Sequence, residues 1–204
     1  DKIEMKIFYG VQGTGNGHIA RARLMAQELS AAGIKVDFLF SGRPAEKYFD
    51  MEIFNDYQVR TGLTFNTHQG KVNYFKTVCQ ANLSRFFQDI KTLDLSGYDL
   101  VITDFEPISA WAAQKQKKPS LGISNQYSYQ YDIRKKGADL MADLLMKHFA
   151  PVEKSVGLHW HHFGQPILPP ITETAAMPDT IVKHKIVVYL PFEELTDVVK
   201  LLLP

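Results

Sequence analysis

The sequence predicts an α/β fold in which a doubly wound, Rossmann-like parallel sheet carries helices on both faces. The first forty residues read as an apolar strand, a glycine-rich turn, a helix and a second strand, which make one βαβ unit. The same alternation recurs along the chain, and its apolar runs are short and continuous, as in buried parallel strands. Hydrophobic residues make up 45% of the 204 residues and charged residues 22%, which is ordinary for a domain with a buried core.

The first βαβ unit is the best defined part of the pattern. Lys6–Gln12 is an apolar run that predicts a strand, and Ile19–Ala32 is rich in residues that favour helices. Gly33 follows, at a position where helices commonly end. Lys35–Phe40 then predicts the second strand.

The later elements continue the alternation. Pro119 ends one of the helices, because the residue before a proline avoids the helical region. In chain order the predicted elements are helix Asn73–Leu93, strand Asp99–Thr103, helix Ile108–Lys117, strand Ser120–Ser124, helix Gly137–Phe149 and strand Val156–Phe163.

A proline-rich stretch predicts the domain boundary. Residues 5–164 form the first domain, and residues 165–184, with four prolines, form a stiff linker. Residues 185–204 add one apolar strand, Lys185–Leu190, and one helix, Phe192–Leu203. One strand and one helix cannot form a core, so we expect them to begin a second α/β domain that is incomplete in this chain.

Charge, cysteine content and hydropathy exclude several kinds of site. The formal net charge is +1, which gives no electrostatic footprint for nucleic acid. Cys79 is the only cysteine, so neither an internal disulfide nor a cysteine-based zinc site can form. No apolar segment is long enough to span a bilayer or to form the core of a signal peptide, so we expect a cytoplasmic protein.

Three histidines near the end of the predicted sheet are a candidate metal site. His159, His161 and His162 flank Trp160. On a strand, His159 and His161 would share one face. No acidic or cysteine ligand lies at a set spacing nearby, so packing at an edge strand or between domains is favoured. We therefore expect no metal.

The glycine-rich loop after the first strand is the strongest functional signal. Its residues are Gly13, Thr14, Gly15, Asn16 and Gly17, followed by His18. Glycines let the backbone approach a ligand closely, and the next helix offers free N–H groups to anions or hydroxyls. The dinucleotide fingerprint does not fit, because His18 replaces its last glycine, and the lysine of a P-loop is missing. A substrate-binding loop is favoured over a plain turn with His18 as a cap.

His18 is a candidate general base, because it lies at the carboxyl edge of the sheet and imidazoles ordinarily titrate near neutrality. A base needs a partner that fixes its tautomer, and Asp104 ends a predicted strand at the same edge. Asp104 could instead cap the next helix, and both interpretations stay open. Glu106 is the next candidate base, or a solvated loop residue.

A segment rich in amides and tyrosines, Asn125–Tyr131, follows the strand Ser120–Ser124. Amides suit sugar hydroxyls and tyrosines suit sugar ring faces, so Asn125 and Gln126 are candidate substrate-binding residues. A polar loop with aromatic anchors is an equal alternative.

These residues together resemble a known family. The glycine-rich loop with His18 resembles the first turn of GT-B glycosyltransferases, near the lipid-linked GlcNAc transferases of peptidoglycan synthesis and the UDP-glucuronosyltransferases. Thr103–Pro107 and Ser124–Gln126 are similar to a bacterial and archaeal branch of that superfamily. The resemblance covers Met5 to about Pro170.

The resemblance implies a two-domain enzyme in which the N-terminal domain holds the acceptor and the C-terminal domain holds most of the nucleotide-sugar. It implies inverting transfer without a metal or another cofactor, with His18 as base and Asp104 as its orienting partner. Arg21 stands where plant members carry proline or another small residue. This difference suggests a more cationic pocket for an anionic or phospholipid acceptor.

The expected function is transfer of a hexose from a nucleotide-sugar to a hydroxyl of a glycan or lipid, with this chain as the acceptor-binding half and inactive alone. Two alternatives are a nucleotide-sugar 2-epimerase and a non-catalytic glycan- or lipid-binding subunit of a split transferase. Peripheral membrane association and a homodimer formed through residues 185–204 are left open. No nucleic acid partner is expected.

Overall fold

The computed structural model describes residues 5–64, 67–68, 71–72, 82–133, 140–172, 184, 188 and 195–202. The chain divides into two units. The first consists of Asp1–Leu63 and Asn82–Thr172, and the second consists of Thr64–Ala81 and Glu173–Pro204.

Nine strands and five α-helices lie within the described residues. The strands are β1 Lys6–Gln12, β2 Lys35–Ser41, β3 Tyr57–Arg60, β4 Thr67–His68, β5 Lys71–Val72, β6 Leu100–Asp104, β7 Ser120–Ser124, β8 Lys154–Leu158 and β9 Ile167–Leu168. The helices are α1 Asn16–Ala31, α2 Leu83–Thr92, α3 Pro107–Gln116, α4 Leu140–His148 and α5 Leu195–Leu202.

The first unit is built on a seven-stranded sheet, as far as its described residues show, in the order β3-β2-β1-β6-β7-β8-β9. All neighbouring strands in it are parallel. The strand order reverses at β1 and β6, and the register of this pair brings Val11 opposite Asp104. Open α/β sheets bind ligands at such a reversal, beside the carboxyl ends of the strands.

Helices cover both faces of this sheet. On one face, α1 buries Ile19, Ala22 and Ala26 against alternate strand residues that include Tyr9 and Ile102. On the other face, apolar residues of α2 and α3 form a second buried cluster. Its members are Phe8, Leu39, Phe86, Ile90, Leu93, Leu95, Val101, Ile108, Ala112 and Ala113. The predicted doubly wound α/β fold is therefore confirmed.

Several predicted elements match closely and others need correction. Strands β1 and β7 have the predicted bounds. Strand β3 was not predicted, because Tyr57–Arg60 is short and contains two polar residues. Strand β9 was not predicted either, because it lies among the prolines of the expected linker, so the sheet extends beyond residue 164. The predicted residues 73–81 and 137–139 of two helices lie outside the described part.

The last long strand ends earlier than predicted, at Leu158. His159, His161 and His162 lie in the turn that follows, so the prediction that His159 and His161 share a strand face is wrong. Their Nδ1 atoms accept hydrogen bonds of 2.9 to 3.1 Å from backbone N–H groups two residues further on. Across the described residues, no three histidine, cysteine or acidic side chains are grouped as metal ligands would be.

The second unit contains a two-stranded antiparallel sheet of β4 and β5, and it contains α5. The predicted strand Lys185–Leu190 lies outside the described residues, apart from position 188. Helix α5 covers most of the helix predicted over Phe192–Leu203. No helix in the described ranges has the length and apolar character needed to cross a membrane.

Candidate active site

The glycine-rich loop connects β1 to α1 at the carboxyl edge of the sheet. The Gly13 N–H donates a 2.6 Å hydrogen bond to the Ser41 carbonyl at the end of β2, which anchors the loop. A Cβ on Gly13 would collide with the Tyr48 hydroxyl, so a larger residue there would force the Tyr48 side chain to shift. Gly17 has no atom within 4 Å of its missing Cβ, and Gly15 has only ordinary contact with His18. These two glycines therefore keep the helix N-terminus open without being required by packing.

His18 lies in the first turn of α1, three residues after the N-cap Gly15, which has no side-chain cap. Its Nδ1 atom lies 2.7 Å from Oδ1 of Asp104, the last residue of β6. Asp104 is fully buried, whereas 11% of the His18 side chain is exposed. The predicted juxtaposition of His18 and Asp104 at one sheet edge is present.

Arg21 lies one turn further along α1 and binds the same carboxylate with two donors. Its Nε donates to Oδ2 of Asp104 and its Nη2 donates to Oδ1, both at 2.7 Å. The Arg21 side chain is 12% exposed. The sequence suggests that Arg21 lines a cationic acceptor pocket, but this pairing directs the Arg21 guanidinium at Asp104, whose charge neutralises it. The hint of an anionic acceptor therefore loses its basis.

Charge and hydrogen bonding keep Asp104 ionised. Burial alone would raise the pKa of Asp104, but the charges and hydrogen bonds of His18 and Arg21 outweigh burial and lower that pKa. Burial also opposes the charge on Arg21, and Asp104 reverses this effect so that the pKa of Arg21 rises. The ion pair is thus present across the working pH range of proteins.

An ionised Asp104 determines the tautomer of His18. A carboxylate oxygen at 2.7 Å would repel an unprotonated Nδ1. The ring therefore carries its proton on Nδ1, and this N–H donates a hydrogen bond to Asp104. The 3.2 Å approach of Arg21 Nη2 to Nδ1 is then a contact between two N–H groups, because arginine has no acceptor. The remaining nitrogen of His18, Nε2, carries the lone pair.

Gln126 covers that lone pair. It begins the 3₁₀ turn Gln126–Gln130 after β7, and its amide Nε2 lies 3.2 Å from Nε2 of His18. Because this imidazole nitrogen is an acceptor, the amide nitrogen of Gln126 donates to it. The Oε1 atom of Gln126 is buried and has no hydrogen-bond partner within the described residues. Asn125, the neighbouring candidate, is exposed.

Glu106 has a different environment from the one predicted. It is fully buried and caps α3 through hydrogen bonds from the backbone N–H groups of Ile108 and Ser109, at 2.9 and 2.6 Å. The Ser41 hydroxyl donates a third, at 2.6 Å. Burial raises the pKa of Glu106, although these bonds oppose the rise. We interpret Glu106 as a capping residue and not as a catalytic base, so the cap considered for Asp104 belongs to Glu106.

Phe105 separates the two carboxylates with an unusual backbone. Its φ of 56° lies in the left-handed region, which is unfavourable for a residue with a Cβ. Its buried ring packs against Tyr127 and Phe149. By strand alternation Asp104 shares the α1 face with Ile102, and the turn at Phe105 sends Glu106 to the opposite face.

The rim of the loop includes one residue that sequence reasoning missed. Arg43 donates to Oδ1 of Asn16 at 3.0 and 3.1 Å, and its guanidinium lies over the Tyr48 ring. The Thr14 hydroxyl accepts from the Gln12 side chain at 3.3 Å. Arg43 follows the end of β2 by two residues, so its position after a strand at the carboxyl edge was the available signal.

Comparison with known proteins yields a family and several distant structures. MurG from Acinetobacter baumannii aligns at 15% identity and a TM-score of 0.44, over 81% of this chain and 43% of that chain. SnogD from Streptomyces nogalater aligns at 15% identity and a TM-score of 0.44, over 86% and 53%. SsfS6 from Streptomyces sp. SF2575 aligns at 12% identity and a TM-score of 0.43, over 75% and 50%. This chain thus spans about half the length of each.

No curated protein matches the sequence. The family described as Glycosyl transferase family 1 matches residues 5–187, which is most of the chain and includes the whole parallel sheet. This match agrees with the resemblance of the glycine-rich loop to glycosyltransferases. The chain belongs to Glycosyl transferase family 1.

Proposed function

We propose that this chain is the acceptor-binding half of an inverting glycosyltransferase, which transfers a hexose from a nucleotide-sugar to a hydroxyl of a glycan or lipid. The observation that carries the proposal is the 2.7 Å hydrogen bond between His18 and Asp104 at the carboxyl edge of the sheet. A neutral hydroxyl is a weak nucleophile, and a positioned imidazole that removes its proton accelerates the attack. Membership of the glycosyltransferase family supplies the reaction class.

The reaction step assigns one task to each ring nitrogen of His18. Nε2 takes the proton of the acceptor hydroxyl while the hydroxyl oxygen bonds to the anomeric carbon of the sugar. The bond from that carbon to the nucleoside diphosphate breaks on the opposite face, and the diphosphate leaves with the electron pair. Nδ1–H stays bonded to Asp104, which stabilises the imidazolium. Attack from the opposite face inverts the anomeric configuration.

The acceptor hydroxyl must first displace the Gln126 amide from Nε2 of His18. The side chain of Gln126 remains beside the ring, where its unpartnered Oε1 can accept from a second hydroxyl of the acceptor. Gly15 and Gly17 leave the N-terminus of α1 open, so its N–H groups can also bind acceptor oxygens. These contacts support acceptor binding at this edge.

The donor is assigned to a second domain of the full-length protein, in which a helix N-terminus would meet the charge that develops on the diphosphate. We expect no metal or other cofactor and a cytoplasmic reaction. The 204-residue chain alone should bind nucleotide-sugars weakly at best and should not turn over. Robust transfer by this chain alone would contradict the assignment of the donor site.

The test is a transfer assay with the full-length protein and a panel of nucleotide-sugars, with glycans and lipids as acceptors. Release of nucleoside diphosphate identifies the donor, and NMR of the product gives the anomeric configuration. His18→Ala should lower kcat by about 10²- to 10⁴-fold, as removal of a general base does, while donor binding persists. The matched control is His148→Ala, at an exposed position on α4. Retained configuration, or full activity of His18→Ala, would contradict the proposal.

A further inference from the structure

We propose that Arg21 is a positioning residue that clamps the Asp104 carboxylate and thereby holds the His18 proton on Nδ1, leaving Nε2 free to act as the base. The inference rests on the proposed function and deepens it. It gives Arg21 a role in the base itself instead of in binding the acceptor.

The geometry of the carboxylate supports the clamp. Within the described part of the chain, the hydrogen bonds to the Asp104 carboxylate come from His18 and Arg21. Both contacts of Arg21 are 2.7 Å long, and they engage the two oxygens separately. A planar guanidinium bound in this way fixes the plane of the carboxylate, which a single contact cannot do. The free direction of Oδ1 is therefore aimed at Nδ1 of His18.

A protonated His18 also lowers the pKa of Asp104, but while His18 is the neutral base, Arg21 is the cation among the described residues that balances the Asp104 charge. Tyr9 of β1 and Tyr127 of the 3₁₀ turn face it, and burial, reinforced by the Asp104 charge, raises the pKa of each far above its ordinary value. Both tyrosines are therefore neutral. Glu106 acts on Tyr127 but belongs to the opposite face of the sheet, where it caps α3. Charge balance at Asp104 depends on Arg21, since His18 must be neutral to act as a base.

Loss of the clamp has a defined consequence. Without Arg21, the buried Asp104 would face a neutral imidazole alone, and burial would raise the pKa of Asp104. A carboxylate that rotates or takes up a proton no longer accepts from Nδ1–H in a fixed direction. The imidazole proton would then divide between its two nitrogens, and a proton on Nε2 blocks the base.

The direct test reads the tautomer of His18 in the 204-residue chain by long-range ¹H–¹⁵N NMR of the histidine rings. The wild type should show His18 protonated on Nδ1 alone. Arg21→Gln should show a mixture of tautomers, and Arg21→Lys should show a smaller admixture, because one ammonium cannot bind both oxygens as a fork. The matched control is Arg23→Gln on the same helix, whose side chain binds the carbonyls of Phe49 and Asp50. It should leave the tautomer unchanged.

Folding is checked by thermal unfolding, and Arg21→Lys, which keeps the charge, decides the matter if Arg21→Gln does not fold. A His18 ring that stays wholly Nδ1-protonated in Arg21→Lys, and in Arg21→Gln where this variant folds, would overturn the inference.

Kinetics of the full-length protein separate this inference from the proposed function. Arg21→Lys should lower kcat by about 10-fold and leave the KM for the donor unchanged. Loss of a group that orients a metal-binding histidine has an effect of this size. A raised KM with unchanged kcat would overturn the positioning role. If His18→Ala keeps its turnover while Arg21→Lys shifts the tautomer, the clamp stands and the proposed function fails.

Discussion

Two buried aspartates of the first unit each meet two basic side chains, and their surroundings differ in a way that bears on function. Asp104 has both oxygens bound at 2.7 Å by partners that are themselves largely buried. Asp89 on α2 meets Arg60 and Arg85 only at 3.3 Å and only through Oδ1. Its Oδ2 is buried without a hydrogen-bond partner within the described residues.

The difference separates neutralising a charge from fixing a direction. Arg60 and Arg85 are 27% and 52% exposed in their side chains, so solvent screens them and their long contacts tolerate several geometries. At Asp104 the short bidentate pairing defines the plane of the carboxylate and hence the line to His18. The arrangement at Asp104 suits a carboxylate oxygen that must accept one hydrogen bond from one direction.

The largest expected effect is on catalysis. In the full-length protein Asp104→Asn should lower kcat by about 10²- to 10⁴-fold, because an amide can donate to Nδ1 and so favours the wrong tautomer of His18. Asp89→Asn makes the same chemical change at the other cluster and should leave kcat within about twofold. Steady-state kinetics with donor and acceptor measure both. Equal losses in the two variants would remove the functional distinction between the clusters.

A smaller effect is expected on stability. Asp104→Ala leaves the buried guanidinium of Arg21 unpaired and should lower the free energy of unfolding by about 3–5 kcal/mol. Asp89→Ala leaves Arg60 and Arg85 able to reach solvent and should lower it by about 1 kcal/mol or less. Urea unfolding followed by circular dichroism gives both values. The contrast fails if Asp89→Ala proves the more damaging change.

The smallest expected effect is in the glycine-rich loop. There the comparison is between Gly13, whose position is tightly packed, and Gly17, whose position is open to a ligand. Gly17→Ala has room for its methyl group inside a helix and should raise stability by up to about 1 kcal/mol while weakening acceptor binding. Gly13→Ala would press on Tyr48 and should lower stability. Thermal unfolding together with acceptor KM values tests the pair. An unchanged acceptor KM in Gly17→Ala would mean that acceptors do not approach this turn of α1.

The sequence was sufficient to bring His18 and Asp104 together, because carboxyl ends of parallel strands share one sheet edge and each residue follows or ends such a strand. It was not sufficient for Arg21. The spacing of three residues from His18 indicates a shared helix face, but whether that face meets Asp104 depends on how α1 packs on the sheet. Glu106 was misjudged because nothing in Asp-Phe-Glu shows that the phenylalanine adopts a left-handed backbone.

That left-handed phenylalanine limits how the site can be copied. Asp104 and Glu106 are two residues apart, a spacing that would place both carboxylates on one face of an extended strand. The reversal at Phe105 sends them to opposite faces, and the Phe105 ring is held by Tyr127 and Phe149. A graft of Asp104 and Glu106 onto another parallel strand without this turn would place Glu106 beside Asp104 on one face, where it could not cap the following helix. A graft that keeps both carboxylates in place must also include Phe105 and the two aromatic residues that pack against its ring.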